Sequence, residues 1–285
     1  MKYSEVSPSP ILAAFIKCYW SLEYAKEPRA NEPEPVLPDG SMEIIFNLAD
    51  RFQRFHDNGS IEIQPAAIVT GQIRRKISIG PTGDVRLFGI RFRPTGAYPF
   101  FRFPLGELTD RIEDLESVWT CGTLSMLDRI ASTPSFTGQI AMIESELLRR
   151  VKGSYRVDGI LSQAVAEIGE KASTIRVGSV AKNLGLSERS LERIFCERVG
   201  LSPKTFARIV RFQNVLKALE TSGGGDILDA ALIHGFYDQS HLINDFREQA
   251  GITPSQYADS RSSVGRGFAP FRLAARISNT ADPDR

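Results

Sequence analysis

The sequence predicts an α+β protein: a small N-terminal β-barrel or jelly-roll-like domain with helices, then an all-α domain of two helix-turn-helix units joined by a long helix. Three observations support this. Short strand candidates separated by Gly/Pro turns occupy residues 42–92. Helical spacing of apolar residues prevails from about residue 105 onward. Within residues 176–257, the order helix, glycine, capping residue, helix occurs twice.

Composition sets the class of protein. A chain of 285 residues suggests two domains. Its three cysteines are far apart and match no metal-ligand spacing, which favours a reducing, cytoplasmic setting. No run of 18 apolar residues and no signal-peptide pattern occurs, so we expect a soluble intracellular protein without a membrane segment. We place the domains at residues 1–152 and 153–260, with a disordered tail at 261–285.

The N-terminal domain begins with helical apolar spacing that shifts to alternation near Tyr19–Tyr24, as expected for a helix or arm leading into a strand. A loop is predicted at 26–35. Five strand candidates follow, at Met42–Leu48, Ile61–Gln64, Ile68–Thr70, Ile73–Ile79 and Val85–Phe92. From Leu105 to Val151, including Ile112, the apolar spacing is helical. Two interpretations of these helices are open: they form a dimer contact, or they cover the barrel.

The first helix-turn-helix follows a linker at 152–156 and a helix capped by Asp158. Gly185 can take the left-handed conformation that ends a helix, and Ser187 is a good N-cap for the next one. Leu191, Ile194 and Phe195 then share a buried face. The remaining polar side chains face outward and suit a DNA major groove: Glu188, Arg189, Ser190, Glu192 and Arg193.

The second helix-turn-helix is reached through a helix predicted from Pro203 to about Glu220, with the proline in the first turn. The second copy spans Ile227–Arg247, with Gly235 at its turn and Asp238 as the N-cap. Leu242 and Phe246 are its buried pair. Its exposed set is Gln239, Ser240, His241 and Asn244.

Together these residues resemble the DNA-binding domain of the AraC/XylS family of bacterial transcription regulators. The matching motifs are Gly185-Leu186-Ser187, Leu191–Phe195, Gly200-Leu201-Ser202-Pro203, Gly235–His241, Phe246-Arg247 and Gly251–Tyr257. In the N-terminal half, Leu37–Gly40 and Phe88–Pro94 resemble sensor-like domains fused to some of these regulators. The resemblance implies double-stranded DNA and RNA polymerase as partners, and is compatible with a homodimer and a small-molecule effector of unknown identity.

The predicted DNA-binding residues are chosen by chemistry. Arginine can bond guanine bidentately, glutamate can accept from cytosine N4, and Gln or Asn can address adenine. We expect these residues to contact DNA: Glu188, Arg189, Ser190, Glu192, Arg193, Arg211, Gln239, Ser240, His241, Asn244 and Arg247. Residues 176–260 hold ten basic and ten acidic residues, and Arg208 is expected to share the DNA side. Alternatively, Glu192 pairs with Arg189 or Arg193 at the surface, or one arginine contacts only phosphate.

Other functions receive less support from the sequence. His56 is the only histidine outside the second helix-turn-helix, so we expect no metal and no cofactor. No nucleophile–base pair or phosphate loop stands out, and we expect no enzyme. The alternatives are a small-molecule-processing enzyme with a DNA-binding domain, and a regulator with a purely structural N-terminal domain. Five basic residues can line an anionic pocket or form a solvated face: Arg74, Arg75, Lys76, Arg91 and Arg93.

Overall fold

The computed structural model describes residues 1–25, 33–101, 103–119, 122–151, 158–221, 236 and 238–263. Its class is α+β, as predicted: the described strands all lie before residue 115, and most of the described helices lie after it. The strands are β1 Lys2–Val6, β2 Ile16–Tyr24, β3 Glu34–Val36, β4 Glu43–Asn47, β5 Phe52–Phe55, β6 Ile61–Ile63, β7 Ala67–Thr70, β8 Ile77–Pro81, β9 Val85–Phe92 and β10 Ile112–Asp114.

These strands form two antiparallel sheets instead of a closed barrel. The larger sheet has the order β1-β2-β9-β4-β7-β10, and the smaller has the order β3-β8-β5-β6. Among the described residues, no strand of the smaller sheet pairs with a strand of the larger one, so the hydrogen-bond ladder does not close into a ring. The two sheets therefore form two layers. This agrees with the jelly-roll-like form of the prediction, whereas the prediction of a closed barrel was wrong.

Alternation along β9 assigns the two faces of the larger sheet. Phe88, Ile90 and Phe92 belong to a core beneath the helices, whereas Val85 and Leu87 belong to a second core shared with the smaller sheet. Both cores are mainly aromatic and aliphatic. The N-terminal domain therefore has three layers: helices, a large sheet and a small sheet.

The N-terminal helices are α1 Tyr98–Phe101, a 3₁₀ helix Leu105–Leu108, α2 Leu115–Val118, α3 Thr123–Ser132 and α4 Phe136–Val151. Ile140, Ile143 and Leu147 of α4 join the core on the larger sheet. The buried faces of these helices thus cover the sheet, as one of the two interpretations held. A dimer contact through their exposed faces stays a prediction.

The sequence interpretation missed β1 and β5, placed Glu34 and Pro35 of β3 in a loop, and was wrong at two further elements. Ile112, predicted as helical, lies in β10 and pairs with Thr70 at the sheet edge. The strand predicted at Ile73–Ile79 begins only at Ile77. Residues before it are bonded elsewhere: Arg74 N donates to Asp110 Oδ1 at 2.7 Å, and Lys76 N donates to the Gln249 carbonyl at 2.7 Å. Tertiary partners therefore override the local pattern at both places.

The helical domain contains α5 Gly159–Glu170, α6 Val177–Asn183, α7 Glu188–Arg198, α8 Pro203–Thr221, α9 Gln239–Ala250 and α10 Pro254–Ser263. Asp158 caps α5 as predicted, accepting from Ile160 N and Leu161 N at 3.1 Å each. The predicted linker at 152–156 and the predicted helix of the second unit, with Gly235, lie outside the described residues. Helix α10 continues past position 261, where the tail was predicted to begin.

Two separate cores underlie the two helix-turn-helix units. The first is built by α5, α6, α7 and the beginning of α8, including Phe195 and Phe206. The second is built by the rest of α8 with α9 and α10, including Phe212 and Phe246. Helix α8 thus contributes to both cores and joins them. We call these two units the first head and the second head.

A pH-dependent stability is expected from Glu34 on β3. Burial raises the pKa of this carboxyl from its usual value to about 7. As pH rises from about 4.5 to 7, the unfolded chain ionises first, so the folded state loses stability across this window and regains it on acidification. Relative to Glu34→Gln, the wild type should be about 1–2 kcal/mol less stable at pH 8 and equally stable near pH 4.5. Urea unfolding of both proteins against pH tests this, and parallel curves would contradict it.

Candidate nucleic-acid interface

Helix α7 of the first head is positioned by a cap at one end and a core on one side. The Ser187 hydroxyl accepts from Ser190 N at 3.1 Å, and Gly185 before it has a φ of 69°. Leu191 and Phe195 are buried, with the Phe195 ring 5.8 Å from that of Phe206. Because one side of α7 is anchored in this way, its opposite side faces solvent.

The predicted contact residues of the first head occupy that solvent side, with one exception. Glu188, Arg189, Glu192 and Arg193 are exposed. Arg193 is 69% exposed and donates to Glu197 at 3.5 Å, a weak bond that a DNA base can replace. The ion-pair partner of Arg193 is thus Glu197 and not Glu192.

Ser190 is the exception in the first head. It is half-buried, and its hydroxyl lies 2.8 Å from the Ser187 hydroxyl. Its backbone N–H also completes the cap of α7. The geometry therefore places Ser190 in the capping arrangement.

Helix α9 of the second head repeats this construction. Asp238 caps it by accepting from His241 N at 2.7 Å. Leu242 and Phe246 are buried as predicted, and the Phe246 ring packs 5.1 Å from Phe212 and 5.5 Å from Tyr257. The predicted contact residues on this helix are all exposed: Gln239, Ser240, His241, Asn244 and Arg247. The His241 ring also packs edge-on against Phe236 at 5.3 Å.

Two arginines of α8 that were predicted to lie on the DNA side contact acidic residues of α9. Arg208 donates to Asp245 of α9 and also pairs with Glu248. Arg211 lies 4.0 Å from Asp245, and its guanidinium stacks 5.1 Å from the Phe236 ring centre. These contacts bind α8 to α9, so both guanidinium groups point toward the second head's own acids.

Asp245 and Gln249 are important residues that sequence reasoning missed. Both are buried, and Gln249 Nε2 donates to Asp245 Oδ2 at 3.4 Å. A signal was present, because these residues share the helical spacing of Leu242 and Phe246 and are polar positions within an apolar stripe. A buried carboxylate needs a partner, and the basic residues of α8 supply it.

The basic residues considered for an anionic pocket do not converge. Arg74 pairs with Asp110, Arg75 with Glu248, and Arg93 donates to the Ala13 carbonyl. Arg91 is buried and bonded to Glu43, with Asp39 at 4.0 Å. Although burial alone would lower the pKa of Arg91, the Glu43 carboxylate raises it above its usual value. Arg91 therefore stays charged as half of a buried ion pair.

In the described part of the chain, no group of three His, Cys, Asp or Glu side chains is placed to hold a metal ion. Within the described ranges, no helix has both the length and the apolar character needed to cross a membrane.

Comparison with known proteins adds two family matches. Residues 4–114 match a domain of unknown function, DUF6597. Residues 180–260 match a helix-turn-helix domain. A probable transcription factor of Proteus vulgaris, PqrA, is 28% identical over 86 residues, which are 30% of this chain and 70% of that protein. The helix-turn-helix match includes both recognition helices, α7 and α9.

Solved structures of low sequence identity were also found. ToxT from Vibrio cholerae O395 is 11% identical with a TM-score of 0.46, covering 86% of this chain and 99% of ToxT. ToxT of strain SCE256, solved with an unsaturated fatty acid, is 13% identical with a TM-score of 0.45, covering 84% and 94%. The C-terminal domain of AraT from Geobacillus stearothermophilus is 25% identical with a TM-score of 0.35, covering 38% and 89%.

The motifs of both heads, their two capped helices and the matches to a helix-turn-helix domain and a transcription factor agree with one another. Residues 180–260 are therefore a helix-turn-helix domain, and the chain is a DNA-binding transcription regulator.

Proposed function

We propose that this regulator binds a specific DNA sequence by placing α7 and α9 in successive major grooves, about 34 Å apart on one face of the duplex. One observation carries the proposal: each helix has a capped N-terminus followed by exposed polar side chains, and each stands on its own core. Helix α8 contributes to both cores and thereby connects the two recognition helices.

Roles are assigned by side-chain chemistry and exposure. In α7, Arg189 and Arg193 bond guanine, Glu192 accepts from cytosine, and Glu188 lies at the edge of the contact. In α9, Gln239 and Asn244 address adenine. Ser240, His241 and Arg247 contact the sugar-phosphate backbone. We assign Ser190 to the cap, and Arg211 to the contact between α8 and α9.

The basic residues available for phosphate are few, because Arg208 and Arg211 face acids of the second head. The helical region is also balanced in charge, with ten basic and ten acidic residues at 176–260. Affinity that does not depend on sequence should therefore be modest, and binding should depend mainly on base contacts.

The division into domains at 1–152 and 153–260 fits the separate cores, and we propose that the N-terminal domain controls the helical one through direct contacts. Its cores are filled by aromatic and aliphatic side chains. This filling favours a structural role, whereas the buried Arg91–Glu43 pair is a polar feature compatible with sensing. ToxT has been solved with a fatty acid bound. An effector, RNA polymerase contact and a homodimer stay predictions for this chain.

Arg193→Ala should weaken specific DNA binding by about 1–3 kcal/mol, because a bidentate contact to guanine is lost. The comparison is with Lys182→Ala, which removes an exposed cation from α6 of the same head. Binding of the selected duplex is measured by fluorescence anisotropy at one fixed salt concentration. If affinity and footprint are the same as in wild type, Arg193 is not a base-reading residue.

The proposed function itself is tested by selecting bound duplexes from a random pool with the full-length protein. We expect an enriched motif of two short blocks whose centres lie about one helical turn apart. Substitutions in α7 should alter only one block, and substitutions in α9 only the other. A single enriched block, or no enrichment, would overturn reading by two helices.

A further inference from the structure

We propose that residues 72–76 of the N-terminal domain fix the distance between the two recognition helices and thereby determine which half-site spacing the protein accepts. This inference rests on the proposed function, since it assumes that α7 and α9 each read a block of DNA. It goes beyond that function by assigning a specificity role to a segment that contacts both heads.

The end of this segment contacts the second head at the C-terminus of α9. Lys76 N donates to the Gln249 carbonyl at 2.7 Å, and Arg75 Nη2 donates to Glu248 Oε1 at 3.3 Å. The Lys76 side chain lies over Gly251, where a Cβ atom would be 2.9 Å from Lys76 Cδ. One backbone bond, one ion pair and one packing contact therefore hold this end of α9.

The beginning of the segment contacts the first head at the C-terminus of α7. A Cβ atom on Gly200 would lie 3.4 Å from Gln72 Cγ and 3.2 Å from the Leu105 carbonyl. Thr109 also donates its hydroxyl proton to the Gly200 carbonyl. Asp110, which follows Thr109 in the chain, donates its backbone N–H to the Gln72 carbonyl at 2.8 Å. Thr109 is thereby connected to residues 72–76.

The two contacts are made at equivalent positions of the two heads. Phe195 in the last turns of α7 is followed five residues later by Gly200, and Phe246 in the last turns of α9 is followed five residues later by Gly251. Both glycines have left-handed backbones, with φ of 88° and 75°. The N-terminal domain therefore holds the same feature of each recognition helix, at the end remote from its N-cap, and leaves the capped ends open for DNA.

This arrangement gives the heads a second mechanical connection beside α8. The two cores share no other described element, so α8 alone would let each head tilt as its side chains repack. A spacing that does not match the distance between two fixed helices requires bending or twisting of the DNA, at an energetic cost. When residues 72–76 contact both heads, a mismatched spacing must be met by deforming the DNA. When these contacts are broken, the heads can change their separation instead.

The test uses full-length protein and a library of two half-sites, taken from the selection above, with spacers that vary one base pair at a time. Arg75→Glu places a carboxylate beside Glu248, whose pKa is held below its usual range by Arg208 and by Arg75 itself. Thr109→Val removes the bond to Gly200 with little change in shape. Arg51→Glu, at an exposed position between β4 and β5, makes the same charge change on the N-terminal domain.

We expect the wild type and Arg51→Glu to favour one spacing. Arg75→Glu and Thr109→Val should each reduce the preference for it over spacings one base pair longer or shorter by about three- to tenfold. The two contacts act in series, so the double variant should lose little more than the more affected single variant. Affinity for an isolated half-site should be unchanged, which separates a spacing effect from damage to either head.

The outcomes distinguish a failure of the proposed function from a failure of this inference alone. Should the wild type enrich no two-block motif, the proposed function fails. Should it favour one spacing, while Arg75→Glu, Thr109→Val and their double variant keep the same preference, residues 72–76 do not set the spacing and only this inference fails. Circular dichroism melting of each variant establishes that the compared proteins are folded.

Discussion

Asp245→Ala should lower the free energy of unfolding of the helical domain by about 2–4 kcal/mol. The Asp245 carboxylate is 8% exposed and accepts from Arg208 and Gln249, with Arg211 at 4.0 Å. Removing it leaves two half-buried arginines without their shared carboxylate and a buried amide without an acceptor. Because Asp245 lies on α9 and both arginines lie on α8, the loss loosens the second recognition helix from the helix that carries it.

Urea unfolding gives the stability change, and the random-duplex selection gives the functional one. The block of the motif assigned to α9 should weaken, while the block assigned to α7 persists. Asp245→Asn keeps an oxygen acceptor and should lose less stability than Asp245→Ala. Glu170→Ala removes an exposed carboxylate at the end of α5 and should change little. A change no larger than that of Glu170→Ala would mean that the arginines are satisfied without Asp245.

Glu43→Ala should destabilise the N-terminal domain by about 3–5 kcal/mol, the largest effect we expect from a single substitution. The side chains of Arg91 and Glu43 are 5% and 13% exposed, and Glu43 is the nearer of the two carboxylates beside Arg91. The substitution removes the charge that compensates a buried guanidinium. Water cannot easily replace the lost carboxylate, because apolar residues of the core between the two sheets lie on the same face of the larger sheet.

A paired replacement separates this effect from simple loss of packing. Glu43→Leu combined with Arg91→Met fills a similar volume without charge, and should be much more stable than Glu43→Ala alone. Chemical unfolding of the three proteins measures the difference. If the double variant is as unstable as Glu43→Ala, the cost comes from lost shape and not from an uncompensated charge.

The Arg91–Glu43 pair also lies next to a contact between the domains. Asp39, 4.0 Å from Arg91, belongs to the segment Leu37–Gly40. Gln213 of α8 donates to the Pro38 carbonyl, and Leu37 packs against the core of the second head. We therefore expect Glu43→Ala to alter amide exchange in α8 as well as in the strands around Arg91.

The sequence by itself determined the elements whose signals are local. Ser187 and Asp238 cap the two recognition helices because a short oxygen-bearing side chain can satisfy the first free N–H groups wherever a helix starts. Leu191, Phe195, Leu242 and Phe246 are buried because helical spacing places apolar residues on one face. Once the buried positions of each recognition helix were assigned, its predicted contact residues were expected to be exposed. All of them except Ser190 are exposed, so the exposure of most candidate contact residues was predictable.

Only the tertiary structure decided features that depend on partners distant in the sequence. Arg208 of α8 donates to Asp245, which lies 37 positions later in the sequence, and no local pattern predicted this partner. Residues 73–76 have the pattern of a strand, yet they leave the sheet because Lys76 N finds its acceptor in Gln249 of α9. Backbone and charged groups take the partner that folding brings near, and no local spacing encodes which partner that is.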